Sequence, residues 1–149
     1  MAAPNAVIDA PGIEMSSVER PRDVALRRAR VLVVDDQAAF LELLAEVLTA
    51  TGHLEIAGQA QSGERAVELA QELQPDMVVM DVRMPGLGGF EAAERIKAAR
   101  PSTLIVLIST THPDELPLRA GAGCAEAVVW KSLLGAGLLD AIWLQHRVH

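Results

Sequence analysis

A single cysteine, Cys124, leaves no partner for a disulfide within the chain and fits a reducing compartment. Tyrosine is absent, and two Trp and two Phe are the only aromatic residues. Any core must therefore be packed from Val, Leu, Ile and Ala. No apolar run is long enough to cross a bilayer, and the residues ahead of the first strand lack the apolar stretch of a signal peptide. Positive charge is in deficit: the net charge of −7 speaks against general affinity for nucleic acid or membrane surfaces. Neither G-x-x-x-x-G-K-[ST] nor G-x-G-x-x-G occurs, so a nucleotide is not the expected guest. What remains is a cytoplasmic chain of 149 residues, half of them apolar, with enough material for one domain and a tail.

Residues 1–28 carry Pro4, Pro11, Gly12 and Pro21 without sustained periodicity and read as a flexible amino-terminal arm. From 29 to 149, strand and helix patterns alternate. Strands are expected at Arg30–Asp35, Leu54–Ala60, Asp76–Asp81, Leu104–Ser109 and Ala127–Trp130. Helices are expected at Gln37–Ala50, with Phe40, Leu43, Leu44, Val47 and Leu48 inward, and after the Ser62 cap, with Ala66, Leu69, Ala70 and Leu73 inward. A third spans Gly89–Ala99, a short one lies within Pro113–Ala120, and a closing helix spans Ser132–Gln145. Serial β-α units imply parallel strands with right-handed crossovers. Near-continuous apolar strands imply a sheet covered on both faces. The fold class is thus α/β: a doubly wound, five-stranded parallel sheet.

In such a sheet the loops that follow the strands share one edge, where open α/β folds keep their chemistry. That edge receives Asp35 and Asp36 from "RVLVVDD", Asp81 from "PDMVVMD", Ser109 from "LIVLIS" and Lys131 from "VVWK". Two carboxylates about 5 Å apart repel by about 3 kcal/mol at an effective dielectric near 20. Either one takes up a proton or a hard cation joins them. Oxygen-only ligands in an open loop suit Mg²⁺, while a hydroxyl and a lysine close by suit a phosphoryl group. The economical reading is that Asp81 itself accepts that group.

These segments, with "SGERAVELAQELQPDMVVMDVRMPGLGGFEA", resemble the receiver domains of two-component response regulators, and most closely receivers that carry a helix-turn-helix output domain. The resemblance covers roughly residues 29–147 and implies a flavodoxin-like strand order, 2-1-3-4-5. It implies that Asp81 is the phosphoacceptor for a histidine kinase's phosphohistidine. It also implies that Asp36 ligates Mg²⁺ directly and Asp35 through a water, with Asp81 and the Arg83 backbone carbonyl completing the protein ligands. Lys131, Ser109 and the Thr110 backbone N–H would contact the phosphoryl group, and Arg83 and Thr111 would tune its lifetime. The chain would then be a phosphoacceptor and not a turnover enzyme on external substrates. A phosphohydrolase of similar fold would carry a second acid two residues after its nucleophile, where this chain has Arg83. Partners implied are the kinase and a downstream protein or fused output domain, with the signal leaving through the fourth-helix, fifth-strand and fifth-helix face.

Three departures from the family pattern bear on that signal. Val128 replaces the usual Tyr or Phe, whose ring has inward and outward states that a β-branched valine lacks. Pro117 interrupts the short helix expected within Pro113–Ala120, and Gly88 replaces an Asp at the start of the third helix. The first two favour an alternative in which the fold acts as a phosphorylation-independent interaction or dimerisation module. Trp130, Leu139 and Trp143 could supply an apolar patch for a partner or a second copy; equally, they could complete the core. The chain reads either as a free-standing receiver or as the amino-terminal piece of a longer transcription regulator.

Overall fold

The computed structural model describes residues 28–50, 52–110 and 124–148. The arm (apart from Arg28), the helix expected within Pro113–Ala120, and Thr111 lie outside them. The elements are β1 (Ala29–Val34), α1 (Ala38–Thr49), β2 (Leu54–Ala60), α2 (Gly63–Leu73), β3 (Met77–Asp81), α3 (Gly89–Ala99), β4 (Leu104–Ser109), β5 (Ala127–Trp130), a 3₁₀ turn (Lys131–Leu133) and α4 (Ala136–Val148). All strand pairs are parallel, and the order is β2-β1-β3-β4-β5, as expected for a flavodoxin-like sheet.

Strand parity sorts the core into two layers, because successive side chains point to opposite faces. Val31, Val33, Met77, Val79, Val106, Ile108 and Val129 pack with Leu41, Leu44 and Leu48 of α1 and with Leu139 and Trp143 of α4. Leu32, Val34, Val78, Met80, Ile105 and Leu107 pack with Ala66 and Leu69 of α2 and with Phe90, Ala93 and Ile96 of α3. Each fully buried Leu or Ile stabilises the fold by about 1.5–3 kcal/mol, and in this mostly aliphatic core Trp143 and Phe90 are the buried aromatic residues among those described.

Side-chain bonds to backbone fix the element ends. Ser62 caps α2 through the Arg65 N–H, and Gln74 ends it in the left-handed region at φ 48°. Arg30 donates to the Leu73 and Gln74 carbonyls, while the Asp76 carboxylate accepts the Arg30 N–H at 2.8 Å. Asp76 is thus structural and precedes β3. Glu126 accepts the Ile105 N–H at 2.7 Å and pairs with Lys97 at 2.6 Å, joining the start of β5 to β4 and α3.

Two helices differ from expectation. In α1 the buried line is Leu41, Leu44 and Leu48; Phe40 is half-buried and Leu43 is 51% exposed. Two adjacent apolar stripes run along this helix, and periodicity alone does not choose between them. The closing helix starts at Ala136 rather than Ser132, because Lys131–Leu133 forms a 3₁₀ turn and Leu134 is extended. Its inward pair is Leu139 and Trp143, one turn apart; Leu138 and Ile142 flank them and Ala141 faces solvent. Leu139 and Trp143 are 0% and 6% exposed, so they finish the core and do not form a partner patch.

Candidate functional site

Asp35 and Asp81 stand one residue past Val34 and Met80, which pair across the β1–β3 boundary. Both acids make the same local turn. Asp35 Oδ1 accepts the Gln37 N–H at 2.8 Å, and Asp81 Oδ1 accepts the Arg83 N–H at 3.3 Å. Short carboxylates readily bond the backbone two residues on. One oxygen of each acid is thereby fixed, and Oδ2 of each lies within reach of Lys131. The ammonium is 2.8 Å from Asp35 Oδ2 and 3.8 Å from Asp81 Oδ2. Parity explains the meeting. Asp35, Asp81 and Lys131 continue the alternation of Val33, Val79 and Val129, all of which face the layer of α1 and α4.

Asp36 is exposed, and the α1 cap position belongs to Gln37. Asp36 therefore does not cap the helix. It joins the other two acids: one carboxylate oxygen from each of Asp35, Asp36 and Asp81 lies within 4.8 Å of the others. Three oxygens this close can share one hard cation, directly or through a bound water. The donor set is all oxygen, as a hard cation requires. Electrostatics point the same way. Burial and then the Asp35 carboxylate push Asp81 above the ordinary carboxylate range; Lys131 and the Arg83 N–H draw it back, and Asp36 adds a further upward push. One ammonium does not compensate three acids, and added positive charge relieves the group that carries the strain.

Ser109 is buried at the end of β4, one residue beyond Ile108, which pairs with Asp81. Thr110 follows, exposed, and its carbonyl accepts the Trp130 indole N–H at 3.2 Å. Val128 and Trp130 are half-buried, and Val128 packs against the layer of α2 and α3. The Arg83 side chain is exposed at the rim.

The sequence profile of the response regulator receiver domain matches residues 31–142. The chain belongs to this family. Response regulator GacA of Pseudomonas viridiflava is 38% identical over 113 residues, covering 76% of this chain and 51% of GacA. Transcriptional regulatory protein PdtaR of Mycobacterium tuberculosis (strain H37Rv) is 39% identical over 122 residues, covering 82% of this chain and 58% of PdtaR. The receiver thus spans about half the length of these relatives. Among solved structures, the response regulator domain of Thermotoga maritima CheB is similar with a TM-score of 0.71 at 30% identity, covering 83% of this chain and 99% of that one.

Two features of this receiver's site were not read from its sequence. The loop between β3 and α3 is clamped by the start of α2: Glu64 Oε2 accepts the Leu87 N–H at 3.1 Å. A Cβ on Gly63 would lie 2.1 Å from the Leu87 carbonyl oxygen, and one on Gly89 would lie 2.3 Å from the Asp81 carbonyl oxygen. Gly86 takes φ +77° directly beside Glu64. The second feature is Phe40, whose ring centroid is 3.8 Å from the Lys131 ammonium. "PGLGG" hinted at a tight loop, but nothing local marked Glu64 or Phe40.

Proposed function

We propose that this receiver takes a phosphoryl group from the phosphohistidine of a histidine kinase onto Asp81, and that the change is read by a downstream protein or a fused output domain. The observation that carries the reading is the grouping of three strand-end carboxylates within 4.8 Å of one another, with Lys131 reaching both Asp35 and Asp81.

Mg²⁺ would be held by Asp36, Asp35, Asp81 and the Arg83 carbonyl, and when bound it supplies charge that neutralises phosphoryl oxygens. The remaining work falls to the chain's own residues. The Asp81 carboxylate oxygen attacks phosphorus as the phosphorus–nitrogen bond breaks, and the electron pair leaves with the imidazole nitrogen. Lys131 turns from Asp35 toward the transferred group and balances its charge. Ser109 offers its hydroxyl, and the Thr110 N–H is a second donor. Water later cleaves the acyl phosphate, returning the carboxylate. Arg83 and Thr111, each two residues past a site residue, would set the lifetime of the phosphorylated state. The indole bond from Trp130 to the Thr110 carbonyl ties that loop to β5 and gives the signal a route toward the fifth strand and α4. The chain acts once per phosphoryl group and does not turn over external substrates.

Beryllofluoride binding tests this reading through tryptophan fluorescence, since Trp130 bonds the residue next to Ser109. The expected result is a change that needs Mg²⁺ and is lost in Asp81→Asn. No response in the wild type would overturn the proposal and favour a phosphorylation-independent module. Release of many phosphates per chain from a phosphomonoester, which is a poor donor to a receiver, would instead indicate a hydrolase.

A further inference from the structure

We infer that Phe40 is a positioning residue for Lys131, a pivot that keeps the ammonium over the site while its acidic partner changes. The inference rests on the phosphoacceptor reading above. Lys131 has three partners: Asp35 Oδ2 at 2.8 Å, Asp81 Oδ2 at 3.8 Å, and the Phe40 ring centroid at 3.8 Å. The two acids differ in distance by about 1 Å, and a cation is attracted to a ring face out to about 6 Å from the centroid. An ammonium that moves about 1 Å from Asp35 toward Asp81 therefore stays within reach of the ring.

That continuity matters because the other contacts are exchanged. When Asp35 turns its charge to a cation, Lys131 loses its nearest partner. An untethered lysine has about 2 kcal/mol of rotamer freedom to lose on being ordered. The aromatic face holds the ammonium without competing for the phosphoryl group, as a fourth carboxylate would. The helix is built for this. Phe40 occupies the first turn of α1, after Ala38 and Ala39, and its N–H bonds the Gln37 carbonyl at 3.1 Å. It is half-buried and packs against the core, while its neighbour Leu41 is buried within it, so part of the ring is left for the ammonium. In a chain with four aromatic residues, one of them is spent on one of only two lysines, Lys97 and Lys131.

The test replaces Phe40 site-specifically by mono-, di- and trifluorophenylalanine, which preserve ring shape while withdrawing electron density from the face. Phe40→Leu removes the face altogether. Two readouts are taken on the full chain. In the metal-free protein, nitrogen-15 NMR of the lysine ammonium groups should show the Lys131 signal broadening step by step with fluorination while the Lys97 signal is unchanged. At saturating Mg²⁺, beryllofluoride affinity should fall in the same order, reaching a loss of about three- to tenfold in Phe40→Leu; Mg²⁺ affinity measured alone should stay within about twofold, since the ring supplies no ligand atom. A flat fluorination series in both readouts would overturn the proposal, as would a loss in Phe40→Leu that the fluorinated rings do not reproduce. Failure of the wild type to bind beryllofluoride would instead refute the phosphoacceptor reading, and the ammonium signal would still report whether the ring holds Lys131.

Discussion

The two sides of Asp81 are built differently. Toward β1 and α2, position is set by close backbone packing and by short bonds from carboxylates to backbone N–H groups. Gly63 and Gly89 sit against main-chain oxygens with no room for a Cβ, Glu64 holds the Leu87 N–H, and both Asp35 and Asp81 fold back on their own loops. Toward β5, position is set by a few long side chains: Lys131 to the acids, Trp130 to the Thr110 carbonyl, and Lys97 to Glu126. β5 has four residues and is mostly half-buried, against six fully buried residues in β4. Backbone packed at this density has essentially one arrangement, whereas side-chain contacts can be exchanged for others at small cost. A cation site gains from the first property and a switch from the second.

Glycine substitutions on the tightly packed side should have the largest effect. Gly89→Ala and Gly63→Ala should each destabilise the protein by about 3 kcal/mol or more in urea unfolding, because backbone must move to admit the methyl group. Lys131→Ala comes next. It strands Asp35, which is fully buried, but opens space for water, so a loss of about 2 kcal/mol is expected, below the range for a sealed ion pair. The same change should strengthen Mg²⁺ binding, by removing a competing cation, and abolish beryllofluoride binding. Isothermal titration separates the two effects.

Asp81→Asn sharpens the contrast through pH. Burial and Asp35 raise the folded-state pKa of Asp81. Its favourable contribution to stability is thus complete below the ordinary carboxylate value and is lost as pH rises through the raised one. Without Mg²⁺, the Asn variant should melt higher than wild type at neutral pH, and the gap should close on acidification. The smallest effect is expected at Gly137, where an added Cβ would meet no atom within 4 Å. Gly137→Ala should stabilise α4 by about 0.5 kcal/mol through helix propensity, opposite in sign to Gly89→Ala.

Much of this was legible in the sequence because it is local. β2, α3, β4 and β5 begin and end where apolar runs and turn residues place them, and strand-end residues Asp35, Asp36, Asp81 and Lys131 meet because parallel topology sends their loops to one edge. What escaped depends on tertiary choice. Phe40 packs against the core without joining its fully buried line, because α1 has two apolar stripes and only docking selects Leu41, Leu44 and Leu48. For Leu139 and Trp143 the sequence leaves surface patch and core equally open, because Leu138 and Ile142 offer an adjacent apolar stripe and only docking chooses between them. The Glu64–Leu87 bond joins residues 23 apart and leaves no local pattern.

Locating the phosphoryl group tests the phosphoacceptor role of Asp81 most directly. The protein would be incubated with acetyl phosphate with and without Mg²⁺, and the modified peptide identified by mass spectrometry. One phosphoryl group per chain is expected, on Asp81, formed only with Mg²⁺ and absent from Asp81→Asn. An unmodified wild type, or a phosphoryl group on any other residue, would contradict it.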